Sequence, residues 1–140
     1  MPASHRLIQT FLTEVVGNGK LDLIPSIARE DMIDEANRAF DGPPGIDGLV
    51  AHVKGFRRNI ANATLEIVEV AGDESSVMAW WTFRGNHVGP WLDLAPSGEV
   101  ITGTVFSFFR LQDGLISHYR LWLHSDAEGG VTFDSRQPVR

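Results

Sequence analysis

The chain has 140 residues, of which 43% are hydrophobic and none is cysteine. This length suffices for one core and predicts a single domain, and the lack of cysteine excludes disulfides, thiolate nucleophiles and thiolate metal sites. The net charge is −6 and the basic residues are scattered singly, which argues against a nucleic-acid partner. No apolar run approaches the roughly 20 residues of a membrane-spanning helix, so we expect a cytoplasmic protein with no membrane association.

Helical periodicity marks three segments in the first half of the chain. Apolar residues recur at helical spacing from Ser4 to Val16 and again from Leu21 to Ala28, where Pro25 is tolerated only in the first turn. A breaker segment of sequence Asp-Gly-Pro-Pro-Gly at 41–45 then precedes a third apolar pattern that begins at Ile46. We therefore predict three helices before the sheet.

The second half is rich in β-branched and aromatic residues separated by turn residues, which is typical of consecutive antiparallel strands. Four strands are predicted, at about 64–71, 77–87, 100–111 and 115–123, and Asp113-Gly114 is the clearest hairpin turn. Helices followed by a meander predict an α+β fold with the helices on one side of the sheet. The domain should span residues 1–129, with 130–140 as a loosely held tail.

Alternation along two strands separates their faces. On the second strand Trp81, Phe83 and His87 share one face and Trp80 lies on the other. Because both faces carry aromatic bulk, we expect both to be covered, one of them by a second subunit in a homodimer. On the last strand one face carries polar and aromatic side chains together. The polar ones are costly to bury unless they are paired or bind something polar. The side chains on this face are His118, Arg120, Trp122 and His124.

Three motifs carry a resemblance to a known family. They are Trp-Trp-Thr-Phe-Arg-Gly-Asn-His-Val-Gly at 80–89, Pro-Ser-Gly at 96–98, and Phe109-Arg110 followed by Asp-Gly-Leu-Ile at 113–116. In order and spacing this pattern resembles the SnoaL-like polyketide cyclases of the nuclear transport factor 2-like superfamily, over about Leu7 to Asp126. The resemblance implies a cystatin-like, cone-shaped α+β barrel, with three N-terminal helices packed in a curved, mostly antiparallel sheet. Its open end would admit an apolar small molecule, with no cofactor.

The resemblance also implies site residues. The cyclases keep a histidine in the pocket at the position of His87, where an imidazole can exchange protons near neutrality; the alternative is a strand end that only bonds a loop. Asp34 and Glu35 lie where related ketosteroid isomerases carry a pocket carboxylate, so either is a candidate general base, with its pKa raised by an apolar pocket. The alternative for this pair is a solvated acidic turn.

Departures from the family pattern change the expected chemistry. The cyclases place an acid–base aspartate on the strand after the Pro-Thr-Gly turn, but here that strand offers only Thr and Ser, and Ser107 aligns with the hydrogen-bonding acid of the isomerases. On the last strand the family frequently carries Glu and Trp, and this chain has His118 and Arg120 at those positions. We therefore hypothesise that His118 and His87 exchange protons or hydrogen-bond a substrate carbonyl, that Asp34 or Glu35 orients them, and that Arg120 holds an anionic group. A surface salt bridge is the alternative for Arg120.

The remaining candidates are aromatic residues and two other histidines. Trp81, Phe83, Trp91 and Trp122 are expected to contact the ligand with Ser107 and Arg120, the alternative being that the aromatic rings fill the core. His52 and His124 are assigned to a polar helix face and a loop. The five histidines show no HxH or HExxH spacing, so no metal site is predicted.

These observations predict a cofactor-independent acid–base enzyme of secondary metabolism. It would be a cyclase or isomerase acting on an apolar polyketide-like or terpenoid-like molecule held in the barrel. One alternative is a non-catalytic small-molecule-binding or dimeric scaffold domain. Another is epoxide-hydrolase-like water addition, which requires a water molecule on Asp34 or Glu35.

Overall fold

The computed structural model describes residues 1–137, and its N-terminal half is mainly helical. The predicted helices are present as α1 (Ala3–Thr10, continued by a π-helix over Phe11–Gly17), α2 (Ile24–Ile27, after a 3₁₀ turn over Leu21–Leu23) and the long α4 (Ile46–Asn59). Between α2 and α4 lie two elements that the local pattern did not predict, β1 (Ala28–Asp34) and the short α3 (Glu35–Ala39). Strand β1 exists because it pairs with a distant strand, and a local pattern does not reveal that pairing.

The second half forms the predicted meander. It contains β2 (Ile60–Gly72), β3 (Ser76–His87), β4 (Val100–Gln112), β5 (Leu115–Ser125) and the short β6 (Val131–Asp134). The order across the sheet is β1-β5-β4-β3-β2, with β6 also on β5. Every pairing is antiparallel except that of β1 with β5. The sheet is curved but does not close, so the α+β fold is as predicted and the barrel is open.

The C-terminal segment takes part in the sheet. Where the sequence predicted a loose tail from Gly130 onward, β6 pairs with residues Trp122 to Ser125 of β5. It occupies the same edge of β5 that β1 occupies nearer the start of that strand. Ser135 is buried and its Oγ accepts a hydrogen bond from the backbone N–H of Leu121 at 2.9 Å. Beyond β1 this edge of β5 would have unpaired backbone N–H and C=O groups, and pairing with them holds the C-terminal segment in place. Residues 138–140 of the predicted tail lie outside the described residues.

The predicted turn and alternation position the concave face. Asp113 and Gly114 have φ of 54° and 78°, the two positive values that a tight type I′ hairpin requires. Along β3, Trp81, Phe83 and His87 are buried on the side that faces α1 and α4. None of the helices in residues 1–137 has the length and apolar content that a bilayer crossing needs.

The convex face of the sheet carries exposed aromatic side chains. Trp80 is 40% exposed and Trp122 is 39% exposed, and the ring of Phe106 lies between them, with centroid distances of 5.6 Å to Trp80 and 5.9 Å to Trp122. Removing such a row from water favours association. The homodimer expected from the sequence therefore stays a prediction with a defined surface.

We predict that Trp80→Glu converts a dimer into a monomer, because a buried unpaired carboxylate opposes the association of two apolar faces. Sedimentation velocity at micromolar concentration measures this. The control is Lys54→Glu on the exposed side of α4, which also introduces a glutamate, changes the net charge even more, and should remain dimeric. A wild-type protein that sediments only as a monomer would contradict the prediction.

Candidate active site

A cavity of about 340 Å³ lies between the concave face of the sheet and α4. Its lining is mostly apolar and includes Phe56, Trp81, Phe83, Trp91, Leu121 and Leu123. Gly103 makes room for one of these rings, because a Cβ atom at that position would lie 2.2 Å from Cε2 of Phe83. The size is at the lower end of the roughly 300–1,000 Å³ of small-molecule sites.

A carboxylate–imidazole pair stands at the wall of this cavity. His52 on α4 lines the cavity, and its Nδ1 lies 2.7 Å from Oδ2 of Asp34 at the end of β1. The other carboxylate oxygen, Oδ1, accepts the backbone N–H of Asn37 at 3.1 Å and caps α3. The Asp34 side chain is 1% exposed and that of His52 is 26% exposed. With Nδ1 donating to Asp34, Nε2 is the nitrogen left for a ligand in the cavity.

The pair changes the acidity of His52. Burial is the largest single influence and disfavours the imidazolium, but the charge of Asp34 and the hydrogen bond to it together outweigh burial, so the pKa of His52 is raised. The imidazole therefore holds a proton more firmly than an ordinary histidine. It can give up that proton and recover it at the cavity wall.

Tyr119 on β5 continues the polar side of the cavity. Its ring stacks on His52 at 5.8 Å between centroids and its hydroxyl lies 3.4 Å from Oγ of Ser107. Burial and the nearby charge of Asp34 raise the pKa of Tyr119, against a smaller opposite effect of Ser107. The phenol therefore stays protonated. Ser107 also accepts the indole N–H of Trp81 at 3.0 Å, so it holds two cavity side chains from behind and is not itself among the lining residues.

His87 lies behind the cavity wall. It is completely buried, and the residue next to it that lines the cavity is Trp91, whose ring is 6.4 Å from the imidazole. The backbone N–H of Ser97 points at Nδ1 from 3.4 Å, so Nδ1 accepts and a neutral ring carries its proton on Nε2. That nitrogen has no hydrogen-bond partner among the described residues. The sequence expectation that His87 forms part of the pocket wall does not match this position.

The other predicted catalytic residues meet away from the cavity. Nε2 of His118 lies 2.6 Å from Oε2 of Glu35, and Nη2 of Arg120 lies 3.5 Å from the same oxygen. None of the three is among the residues that line the cavity. The guanidinium of Arg120 also covers the Phe108 ring at 5.5 Å. Arg120 therefore forms a salt bridge, the alternative to binding an anionic ligand group.

The structure joins His118 with Glu35, one of the pairings that the sequence suggested, but it joins Asp34 and His87 with partners that the sequence did not suggest. Asp34 meets His52, and His118 meets Glu35, while His87 bonds Ser97. Of the predicted ligand contacts, Trp81, Phe83 and Trp91 line the cavity, whereas Ser107, Arg120 and Trp122 do not. Sequence reasoning missed His52, although a signal existed: three residues after Leu49 and four before Phe56, it lies near the core-facing side of α4. Within residues 1–137, no group of three metal-ligating side chains comes together.

The raised pKa of His52 makes fold stability depend on pH. Because the folded pKa is above the unfolded value, the pair's contribution is fully present below about pH 6.5, the ordinary histidine pKa, and is lost as pH rises through the folded value. We predict that urea denaturation finds His52→Gln destabilised most at pH 5.5–6, with a difference from wild type that shrinks towards pH 9. His5→Gln, at a half-buried histidine whose ring bonds the backbone carbonyl of Gly72 and no carboxylate among residues 1–137, should show no such trend. A destabilisation of His52→Gln that grows with pH would contradict the assignment.

Solved structures share this fold. TsrD from Streptomyces laurentii superposes with a TM-score of 0.73 at 21% identity, covering 91% of this chain and 90% of that one. IdmH from Streptomyces antibioticus, described as a putative polyketide cyclase, superposes with a TM-score of 0.67 at 19% identity, covering 88% and 91%. At these identities the likeness establishes the fold.

Sequence comparison carries the relationship further. Aklanonic acid methyl ester cyclase AcmA from Streptomyces galilaeus is 24% identical over 112 residues, which cover 79% of this chain and 78% of that protein. The family model for SnoaL-like polyketide cyclases matches residues 6–126, which include β1, α4 and both members of the Asp34–His52 pair. The chain therefore belongs to the SnoaL-like polyketide cyclase family.

Proposed function

We propose that the chain is a cofactor-independent polyketide cyclase in which His52, oriented by Asp34, transfers protons at the wall of the apolar cavity. The observation that carries this proposal is the 2.7 Å contact between a buried carboxylate and an imidazole that lines the cavity. A carboxylate bonded to one ring nitrogen sets the tautomer and orientation of the other. An apolar surround strengthens this electrostatic interaction.

Ring closure between a carbon next to one carbonyl and a second carbonyl needs only a proton acceptor and a proton donor. In the proposed reaction, Nε2 of His52 removes the proton from the carbon, and the resulting imidazolium is stabilised by Asp34. The enolate carbon then attacks the second carbonyl carbon. The new alkoxide takes the proton back from His52, so the base is regenerated and no atom is gained or lost.

The shape and lining of the cavity favour a flat, apolar substrate. Aromatic rings from the sheet and from α4 face the cavity, among them Trp81 and Phe83, each at right angles to Phe56. Such surfaces hold a planar ring system while folding a flexible chain towards the base. Family membership and the related cyclase, whose name specifies aklanonic acid methyl ester, support a polyketide as the substrate class.

The alternatives from the sequence have less support. Water addition needs a carboxylate free to hold water, yet both oxygens of Asp34 accept bonds from protein groups and Glu35 does not line the cavity. A binding or scaffold domain without turnover needs no proton-transfer pair in its pocket. Its signature would be retention of a ligand that is never converted. Catalytic roles for His87 and His118 stay predictions.

We predict that His52→Gln lowers turnover by about 10²–10⁴-fold, the range for loss of a general acid–base group. The assay incubates the protein with aklanonic acid methyl ester in deuterated buffer, following both the isomeric ring-closed product and deuterium uptake next to the carbonyl. His5→Gln is the matched control and should keep wild-type rates. Equal rates for His52→Gln and wild type would contradict the proposal, and a wild-type protein that binds the ester without exchange or conversion would favour the binding-domain alternative.

The pH profile separates the two members of the pair. A base must be deprotonated, so turnover should rise with pH through the raised pKa of His52. We predict that Asp34→Asn, which removes the charge but keeps the size, moves the midpoint of this rise to lower pH and lowers the plateau. Initial rates between pH 5 and 9 measure both effects. An unchanged midpoint would show that Asp34 does not act through His52.

A further inference from the structure

A second hollow adjoins the main cavity. It measures about 220 Å³ and shares three side chains with the main cavity: Phe40, Leu92 and Phe133. The rings of Phe40 and Phe133 lie 5.5 Å apart at an angle of 31°, and Phe40 is 40% exposed. We call these three side chains the aperture and the second hollow the outer compartment.

The aperture depends on the C-terminal strand. Phe133 lies on β6 opposite Leu123, a residue that lines the main cavity, so the pairing with β5 brings Phe133 to the cavity side. Ser135 holds the strand in place, because its backbone N–H donates to the carbonyl of Leu121 at 3.0 Å and its Oγ bonds the Leu121 N–H. Strand β6 follows the region matched by the family model, which ends at residue 126. This side of the aperture is therefore built by a segment beyond the family pattern.

The outer compartment differs chemically from the main cavity. Beyond the shared apolar side chains, its lining includes Thr132, Asp134 and Gln137, which carry hydrogen-bonding groups. The hydroxyl of Thr132 already bonds Nδ1 of His124 at 3.0 Å, which leaves it further hydrogen-bonding capacity. The carboxylate of Asp134 is already paired with the guanidinium of Arg136, at 2.6 Å from Nη2 to Oδ2 and 3.0 Å from Nε to Oδ1. Because that charge is compensated, the compartment favours neutral hydrogen-bonding groups over ions.

We propose that the ligand has two parts, an apolar polycyclic body in the main cavity and a neutral hydroxyl, ester or amide substituent that passes through the aperture into the outer compartment. Phe40 and Phe133, whose rings contact each other, then determine specificity by packing together along one side of the substituent. The inference rests on the proposed function only in taking the main cavity as the ligand site. It adds which substituents the site accepts and which residues select them.

The test compares three probes by quenching of tryptophan fluorescence, since Trp81 and Trp91 line the main cavity. The probes are anthraquinone, N-(2-hydroxyethyl)anthraquinone-2-carboxamide and anthraquinone-2-carboxylate. Wild-type protein should bind the hydroxyethyl amide at least fivefold more tightly than anthraquinone, while the carboxylate gains nothing. Phe133→Ala should reduce the preference for the amide to less than twofold.

Phe40→Ala repeats the test at the residue that directly follows α3, and it decides the outcome if Phe133→Ala fails to fold. Phe108→Ala is the matched control, because Phe108 lines neither the main cavity nor the outer compartment, and it should keep the wild-type preference. Equal wild-type affinities for the two neutral probes, or an unchanged preference in Phe40→Ala, would overturn the inference. The probe preference is a ratio of binding constants and does not depend on turnover. Unaltered turnover in His52→Gln would therefore contradict the proposed function without changing the probe preference.

Discussion

The structure of the site depends on one buried charge, the carboxylate of Asp34. A carboxylate with 1% side-chain exposure is strongly destabilising unless its oxygens are bonded and its charge is compensated. Three elements meet to do this: β1 ends at Asp34, the first turn of α3 supplies the N–H of Asn37, and α4 supplies His52. The same contacts that make burial tolerable also orient His52 and raise its pKa, so stability and proposed chemistry have a common origin.

The residue after Asp34, Glu35, is also buried but does not line the cavity. Strand β1 pairs in parallel with β5, with Asp34 opposite Tyr119, and at the change from strand to helix the neighbouring Glu35 turns away from the cavity. There it bonds His118 and Arg120, and the hydroxyl of Ser135 lies 3.5 Å from its second oxygen. Two adjacent acids thus serve two tasks, one at the cavity and one that ties α3 to β5 and to the C-terminal segment. Because Ser135 belongs to that segment, the position of Phe133 at the aperture and the position of α3 are linked through Glu35.

Much of the fold could be predicted from local patterns. Period-two alternation correctly separated Trp81, Phe83 and His87 from Trp80, because strand pleating alone determines which side chains share a face. The Asp113-Gly114 turn followed from the positive φ that these residue types tolerate. Strand β1 was missed because it exists by pairing with β5 far away in the chain, and β6 was missed because it has only four residues and exists by pairing with an edge of β5. Only the assembled sheet shows that this edge of β5 is available for pairing.

The amino-acid sequence by itself determined the α+β class and the family. Each of these depends on periodicity or on motif spacing, which are properties of the chain. Only the tertiary structure decided that His52 pairs with Asp34, that His118 pairs with Glu35, and that His87 stands behind Trp91. The physical reason is that a side chain's partner depends on distances between elements 18 residues apart in one pair and 83 in the other, which packing sets.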